Sequence, residues 1–303
     1  MAGGDAPMTR PSVPEADRLI GVRHPVLSHG FVVLVDYMGN DAAIVQAARV
    51  SYGQGTRSFR DDRALVRYLL RHRHTTPFEM VELKFLVRLP IYVARQWIRH
   101  RAASVNEFSA RYSVMPDEFD VPAPDDVRRQ STRNRQGRGD PLPPDVVEAF
   151  RGDVERIHRD AYAAYLKALE AGVARETARI VLPLAYYTEW YWKSDLHNLL
   201  HFLALRLDPH AQEEIRRYAA EIARIAQVVC PVALEAFEEF TREGIQLGRR
   251  EQVALKAILD GATPEAACAA AELPLARPDG RPMTSGEGVE FMEKLERIRS
   301  RAQ

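Results

Sequence analysis

Arg99-His100-Arg101-Ala102-Ala103-Ser104-Val105-Asn106-Glu107-Phe108-Ser109-Ala110-Arg111-Tyr112 is the stretch from which the rest of this chain can be read. It gathers three arginines, a histidine, a glutamate, an asparagine and two serines, with Arg95 and Gln96 just upstream. A guanidinium carries a permanent charge on a planar fork of donors, which suits phosphates and the edges of bases. Serine, asparagine and glutamate add short, directional hydrogen bonds. Trp97, Ile98, Phe108 and Tyr112 are interleaved with these polar groups, so the segment is expected to be pinned to a core rather than solvated.

Working outward, Glu82–Leu89 alternates apolar and polar residues, which predicts a half-buried strand. Pro90 is then expected to open a helix carrying Arg95, Gln96, Trp97 and Arg99, with Arg95 and Arg99 on one face because they are four apart. Upstream, the β-branched run Gly30–Tyr37 predicts a buried strand. Asp41 should cap a helix through Val50. A second helix is expected from about Ser58 to Leu70, and Thr76 should cap a short turn that has Pro77 at its first position.

Downstream, residues 122–144 are poor in apolar side chains and predict an exposed, mobile loop. A long helix from Pro144 to Ala171 should close at Gly172. A short helix is expected to hold Arg175, Glu176 and Arg179, and the aromatic run Ala185–Trp192 predicts a strand. Asp195 should cap a helix reaching Arg206. Pro209 should begin another to Val229, and Pro231 one more to Thr241. From Arg250 onward, two or three short helices are expected.

The irregular order of strands and helices predicts an α+β fold, with an antiparallel or mixed sheet flanked by long helices. No Gly-x-Gly-x-x-Gly follows a strand, so a dinucleotide would not be held in the Rossmann manner. The expected organisation is a disordered tail over residues 1–17, one domain over 18–249 and a helical extension over 250–303.

The bulk composition excludes several classes. Lys+Arg 42 balances Asp+Glu 42, which argues against a nucleic-acid polymer as partner. Cys230 and Cys268 sit in apolar contexts, so neither a disulfide framework nor a reactive thiolate is expected. No apolar run is long enough to span a bilayer and no signal peptide is evident, so the expected location is cytoplasmic, away from membranes.

The pattern Arg-His-Arg-x-x-Ser-x-Asn-Glu-x-Ser-x-Arg-Tyr, filled by Arg99 through Tyr112, resembles the defining motif of the flavin-dependent thymidylate synthases at every fixed position. The resemblance extends over roughly residues 28–245. It implies methylation of dUMP to dTMP, with 5,10-methylenetetrahydrofolate as carbon donor and NADPH reducing an FAD cofactor. It also implies a homotetramer whose active sites are shared between subunits.

Carried over residue by residue, the resemblance places Arg99, His100, Arg101, Ala102 and Glu107 against FAD. Ser51 and Thr76 join them; on composition alone these two are ordinary turn and cap residues. Gln96, Trp97, Ile98, Arg99 and the segment Glu107, Phe108, Ser109, Ala110 and Arg111 are placed against dUMP. Arg179 belongs with dUMP too, although two arginines four apart around a glutamate also read as a helical salt-bridge face.

In the helix that Asp195 caps, the resemblance puts Asp195, His197 and His201 against the flavin and Arg206 against the pyrimidine. Some family members carry Asn-Leu-Arg and a second Asn where this chain has Asp195, Leu196, His197 and His201. His197 and His201 share a face, as metal ligands would, but a single pair lacks further ligands, so no metal is expected.

Arg206 and Ser109 are expected at the reacting centre. Arginine does not accept a proton, but it can stabilise negative charge developing on the uracil ring, which makes C5 a carbon nucleophile without an enzyme cysteine. Ser109 lacks an evident base and is expected to position substrate rather than attack it. Two other classes compete with this reading. A nucleotide- or RNA-binding protein would be colourless and salt-sensitive, and a metal hydrolase would carry stoichiometric metal.

Overall fold

In the computed structural model the described residues are 12–50, 61–132 and 136–301. They form two compact units, one ending at Arg242 and the other beginning at Glu243.

The first unit is built on a five-stranded sheet in the spatial order β1 (His24–Val26), β2 (Gly30–Met38), β3 (Glu82–Pro90), β7 (Tyr187–Asp195) and β4 (Ser104–Glu107), with every neighbouring pair antiparallel. The fold is therefore α+β, as the sequence leads one to expect. A short helix α1 (Pro14–Asp17) precedes β1 (His24–Val26) and β2 (Gly30–Met38). Residues 13–17 are a correction to the expected tail. Ala16 is fully buried, and the Tyr37 hydroxyl donates to Asp17 Oδ1 at 2.6 Å while accepting from Val13 N at 2.7 Å.

Helix α2 (Asp41–Val50) is not capped by Asp41 as expected. Asn40 takes the Ala42 N–H at 3.0 Å, whereas the Asp41 carboxylate accepts from Val232 N and Ala233 N at 2.8 and 3.0 Å. Asp41 thus caps a helix far away in sequence. Helix α3 (Asp62–Arg71) takes Asp61 as its side-chain cap; the expected start at Ser58 lies outside the described residues. In α4 (Thr76–Glu79), Thr76 is the first helical residue and Thr75 precedes it without a side-chain cap, one position from expectation.

Strand β3 (Glu82–Pro90) leads into α5 (Ile91–Trp97). The helix ends before Arg99, so Arg95 and Arg99 do not share a helical face. His100 N returns to Trp97 O and closes the turn instead. The motif then enters β4 (Ser104–Glu107), which pairs with β7.

The expected loop 122–144 contains structure. It has a 3-10 turn over Pro124–Asp126 and a two-stranded ribbon of β5 (Arg128–Gln130) and β6 (Arg138–Pro141). Ion pairs hold it in place: Arg138 meets both Asp126 and Glu214, and Arg217 meets Asp126 at 2.8 Å.

Helix α6 (Pro144–Glu170) ends at Gly172, whose φ of +82° suits a residue without a side chain. After α7 (Arg175–Ala178) a 3-10 turn carries Arg179, and β7 (Tyr187–Asp195) runs three residues beyond the predicted strand. Asp195 caps α8 (Leu196–Arg206) through Asn198 N at 2.9 Å. Helix α9 (Glu213–Val229) starts four residues after the expected Pro209, and α10 (Pro231–Phe237) passes into a π-helical turn, Glu238–Arg242.

Alternate residues of β3 face inward, and Trp190 and Trp192 of β7 join them against α5, α8 and α9. Trp97 is fully buried there, stacked on Phe202 at 4.7 Å and edge-on to Trp190 and Trp192. This aromatic block anchors α5 immediately before the motif turn. Close packing reaches the edge of the sheet: a Cβ at Gly30 would overlap the Tyr218 hydroxyl and stand 2.6 Å from Val26 O.

The second unit contains α11 (Arg249–Leu259), α12 (Pro264–Ala270) and α13 (Glu287–Arg301) around its own core of Ala254, Cys268, Leu273 and Phe291. At 15 residues, α13 is longer than the short helices expected here.

Candidate functional site

Two clefts of the first unit divide the motif between them. The first, of about 340 Å³, is walled by the turn after α5 (Arg99, His100, Arg101, Ala102 and Ala103) and by Asn198, His201, Leu205 and Arg206 of α8. The second, of about 350 Å³, is walled by Glu107, Phe108, Ser109 and Ala110, by Arg179 and Leu182, and by Ile91, Met115 and Thr188. Strand β4 runs from one to the other, so the clefts are separated by about 10 Å of extended backbone.

The arginine cleft is set by its helix ends. Because His100 N bonds to Trp97 O, the Gln96 carbonyl at the end of α5 is left for a side chain. Arg206 supplies it, with Nη2 donating to Gln96 O at 3.3 Å and Nε donating to His100 Nε2 at 3.0 Å. A guanidinium only donates, so His100 must present an unprotonated Nε2 and carry its proton on Nδ1. Burial, then the charges of Arg206 and His201, pull the His100 pKa down to about 4. Burial likewise lowers the Arg206 pKa from the ordinary arginine value. His201 lies edge-on to His100, with ring centroids 5.9 Å apart.

The serine cleft is set by strand pairing. Phe108 N donates to Glu189 O at 2.7 Å, which continues the β4–β7 ladder. Thr188 Oγ1 donates to Glu107 Oε1 at 2.7 Å and fixes that carboxylate at the cleft wall. Ser109 Oγ accepts from Arg111 N at 3.3 Å, and the exposed Arg111 meets Glu176 at 3.4 Å.

Not every expected residue lines a cleft. Gln96 touches Arg206 through its carbonyl, while its side-chain amide donates to Gln212 Oε1. Trp97 sends its side chain into the core, and Ile98 is 41% exposed. Asp195 is occupied as the α8 cap, its Oδ2 taking the Asn198 side-chain amide at 2.7 Å. His197 lies on α8 and Thr76 on α4, and neither is part of the two cleft walls. Ser51 lies outside the described residues.

Asn198, Ser194, Thr188 and Gln212 were missed by sequence reasoning. Asn198 was within reach of it, because Asn198, His201 and Leu205 follow the three-to-four spacing of one helical face. Thr188 and Gln212 act through contacts 81 and 116 residues away in sequence, for which the sequence carries no local signal.

Both cysteines are buried and unbonded to each other. Burial pushes the Cys230 thiol well up, with Asp41 adding to the effect, and burial and Glu265 raise that of Cys268. Among the described residues no group of three or more His, Cys, Asp or Glu converges on a metal position, and no helix is long and apolar enough to cross a membrane.

Residues 33–232 match the family described as thymidylate synthase complementing protein. A flavin-dependent thymidylate synthase of Gluconobacter oxydans is 50% identical over 283 residues, covering 84% of this chain and 93% of that one. A flavin-dependent thymidylate synthase of Thermus thermophilus is 56% identical over 241 residues, covering 80% and 86%. Among solved structures, a UMP/dUMP methylase from Streptomyces cacaoi bound with 5-Br dUMP superposes with a TM-score of 0.65 at 35% identity. It covers 72% of this chain and 99% of that one.

Proposed function

The chain belongs to the flavin-dependent thymidylate synthases, methyltransferases that act on dUMP, and from that premise we propose how its two clefts divide the work. The arginine cleft takes FAD and the pyrimidine end of dUMP, and the serine cleft takes the rest of the nucleotide. The carbon comes from 5,10-methylenetetrahydrofolate and the reducing equivalents from NADPH.

The donor set fits a flavin dinucleotide. Arg99 and Arg101 offer charge for phosphates, while His100, Asn198 and His201 offer ring and amide groups beside them. Bound FAD supplies the redox chemistry that no side chain can perform. Ser51, Thr76, Ala102, Glu107, Asp195 and His197 complete the proposed cofactor set by family correspondence.

The chain's own part is placement and electrostatics. Arg206, held by His100 and the Gln96 carbonyl, keeps its remaining N–H groups for the pyrimidine and stabilises the charge that develops when C5 attacks carbon. Gln96 and Arg99 hold dUMP from the same side. Trp97 and Ile98 contribute backbone and packing. Glu107, Phe108, Ser109, Ala110, Arg111 and Arg179 hold it from the other side, with Ser109 a positioning donor. Two buried thiols with raised pKa values supply no thiolate, which supports carbon transfer without an enzyme cysteine.

One observation carries this reading: Arg99 and Arg206 line one cleft, whereas Glu107, Phe108, Ser109, Ala110 and Arg179 line another. Two copies facing each other would offer both sets to one mononucleotide, an arrangement in keeping with a homotetramer with shared sites. Phe108, Tyr112, Ile180 and Leu184 are exposed in the segments around the serine cleft, apolar surface that a second copy would cover.

Absorbance of the purified protein, with dTMP assayed with and without added FAD, tests the reading. A flavin spectrum, FAD-dependent dTMP and retained activity in a Cys230→Ala/Cys268→Ala protein are expected. Turnover without flavin, or activity lost with the cysteines while the protein stays folded, contradicts it.

A further inference from the structure

The connection between α8 and α9 closes on Gln96 from both of its ends. Arg206, the last residue of α8, reaches the Gln96 carbonyl, and Gln212, the residue before α9, takes the Gln96 side-chain amide on its Oε1. Between them the chain folds back tightly. Ala211 N bonds to Asp208 O at 2.9 Å, and Asp208 Oδ1 takes His210 N at 2.8 Å. On the far side, Gln212 O accepts from Arg216 N at 3.1 Å, and Glu214 in the first turn of α9 pairs with Arg138 of the ribbon. Gln212 is thereby fixed by its own helix, and it can fix Gln96.

Among the described residues, two acceptors orient the Arg206 guanidinium, the Gln96 carbonyl and His100 Nε2. Residue 96 also sits in the last turn of α5, where the helix leaves its carbonyl without a backbone partner. With Trp97 fixing the neighbouring residue in the core, the Gln212 contact adds a second hold on Gln96 from the α8–α9 connection. We propose that Gln212 is a positioning residue for the dUMP reaction, holding the end of α5 so that Gln96 and His100 aim Arg206 at the pyrimidine. This rests on the role given to Arg206 above, and it adds a residue that lines neither cleft.

The acceptor oxygen is what matters in this arrangement. Gln212→Glu keeps an acceptor for the Gln96 amide, whereas Gln212→Ala removes it. Misplacing a group that acts in the transition state lowers kcat more than it weakens ground-state binding.

The experiment uses the full-length holoenzyme. It measures kcat for dTMP formation, dUMP affinity by calorimetry, flavin content by absorbance and Tm. For Gln212→Ala the expected result is a fall in kcat of about tenfold or more, because small displacements near the reacting atoms cost that much. Flavin content and Tm are expected to be unchanged, dUMP affinity to move far less than kcat, and Gln212→Glu to recover most of the loss.

Three results overturn the proposal. They are Gln212→Ala turning over as fast as wild type, Gln212→Glu and Gln212→Ala being equally impaired, and kcat falling only in step with flavin content and Tm, which marks a structural role. If Arg206→Ala turns over normally, the role of Arg206 itself has failed, and that result is separate from the Gln212 variants.

Discussion

At the scale of single residues, the proposed chemistry turns on how Arg206 is held. Its Nε and Nη2 are both committed, to a ring nitrogen and to a carbonyl that are fixed by different parts of the motif turn. Lysine offers one compact charge on a flexible stem and cannot meet both acceptors while facing a substrate. Arg206→Lys should therefore bind flavin normally yet lose roughly 100-fold or more in kcat, the scale seen when one oriented donor to developing charge is removed. Steady-state kinetics beside a flavin absorbance spectrum check this, and near-wild-type turnover would contradict it.

His100 gives a prediction with a defined sign. Its folded pKa of about 4 lies below the ordinary 6.5, so between these values the unfolded chain holds more protons than the folded one. Stability from the neutral ring is complete above about pH 6.5 and is lost as pH falls toward 4. Urea denaturation at pH 7 and pH 5 should show a smaller acid-induced drop for His100→Gln, which takes up no proton, than for wild type. Equal drops would contradict the assignment.

At the scale of elements, alternation and length located most of the fold. The strand over Glu82–Leu89 follows its apolar alternation almost to the residue, and the 27-residue α6 ends where Gly172 permits it. The misplacements have tertiary causes. Helix α5 stops at Trp97 because that side chain is locked among Trp190, Trp192 and Phe202, and the chain must then turn toward β4. The polar stretch 122–144 orders as a ribbon because Arg138 finds Asp126 and Glu214, partners whose meeting cannot be read from local composition.

Asp41 is a similar case, since its carboxylate caps α10 some 190 residues away rather than its own helix. Asp41→Ala strands two backbone N–H groups at the α10 terminus and should cost about 1–2 kcal/mol. Chemical denaturation measures this, and an unchanged midpoint would show that the cap is idle.

At the scale of the whole molecule, the motif was legible as a family signature and its residues were nameable from the sequence. Their division into two clefts was not, because β4 carries the chain from one to the other and only the folded sheet shows that the two ends do not converge. Under the function proposed above, that division makes a second copy part of the chemistry. The most direct test is complementation between two inactive proteins, Arg206→Ala in the arginine cleft and Arg179→Ala in the serine cleft. They would be co-expressed with different tags and purified as the mixed assembly. If each site is built from two chains, some sites in the mixture draw both halves from unmutated clefts, and dTMP formation returns although neither variant makes it alone. A mixed assembly that stays as inactive as its parents would contradict the shared site and leave each chain to work by itself.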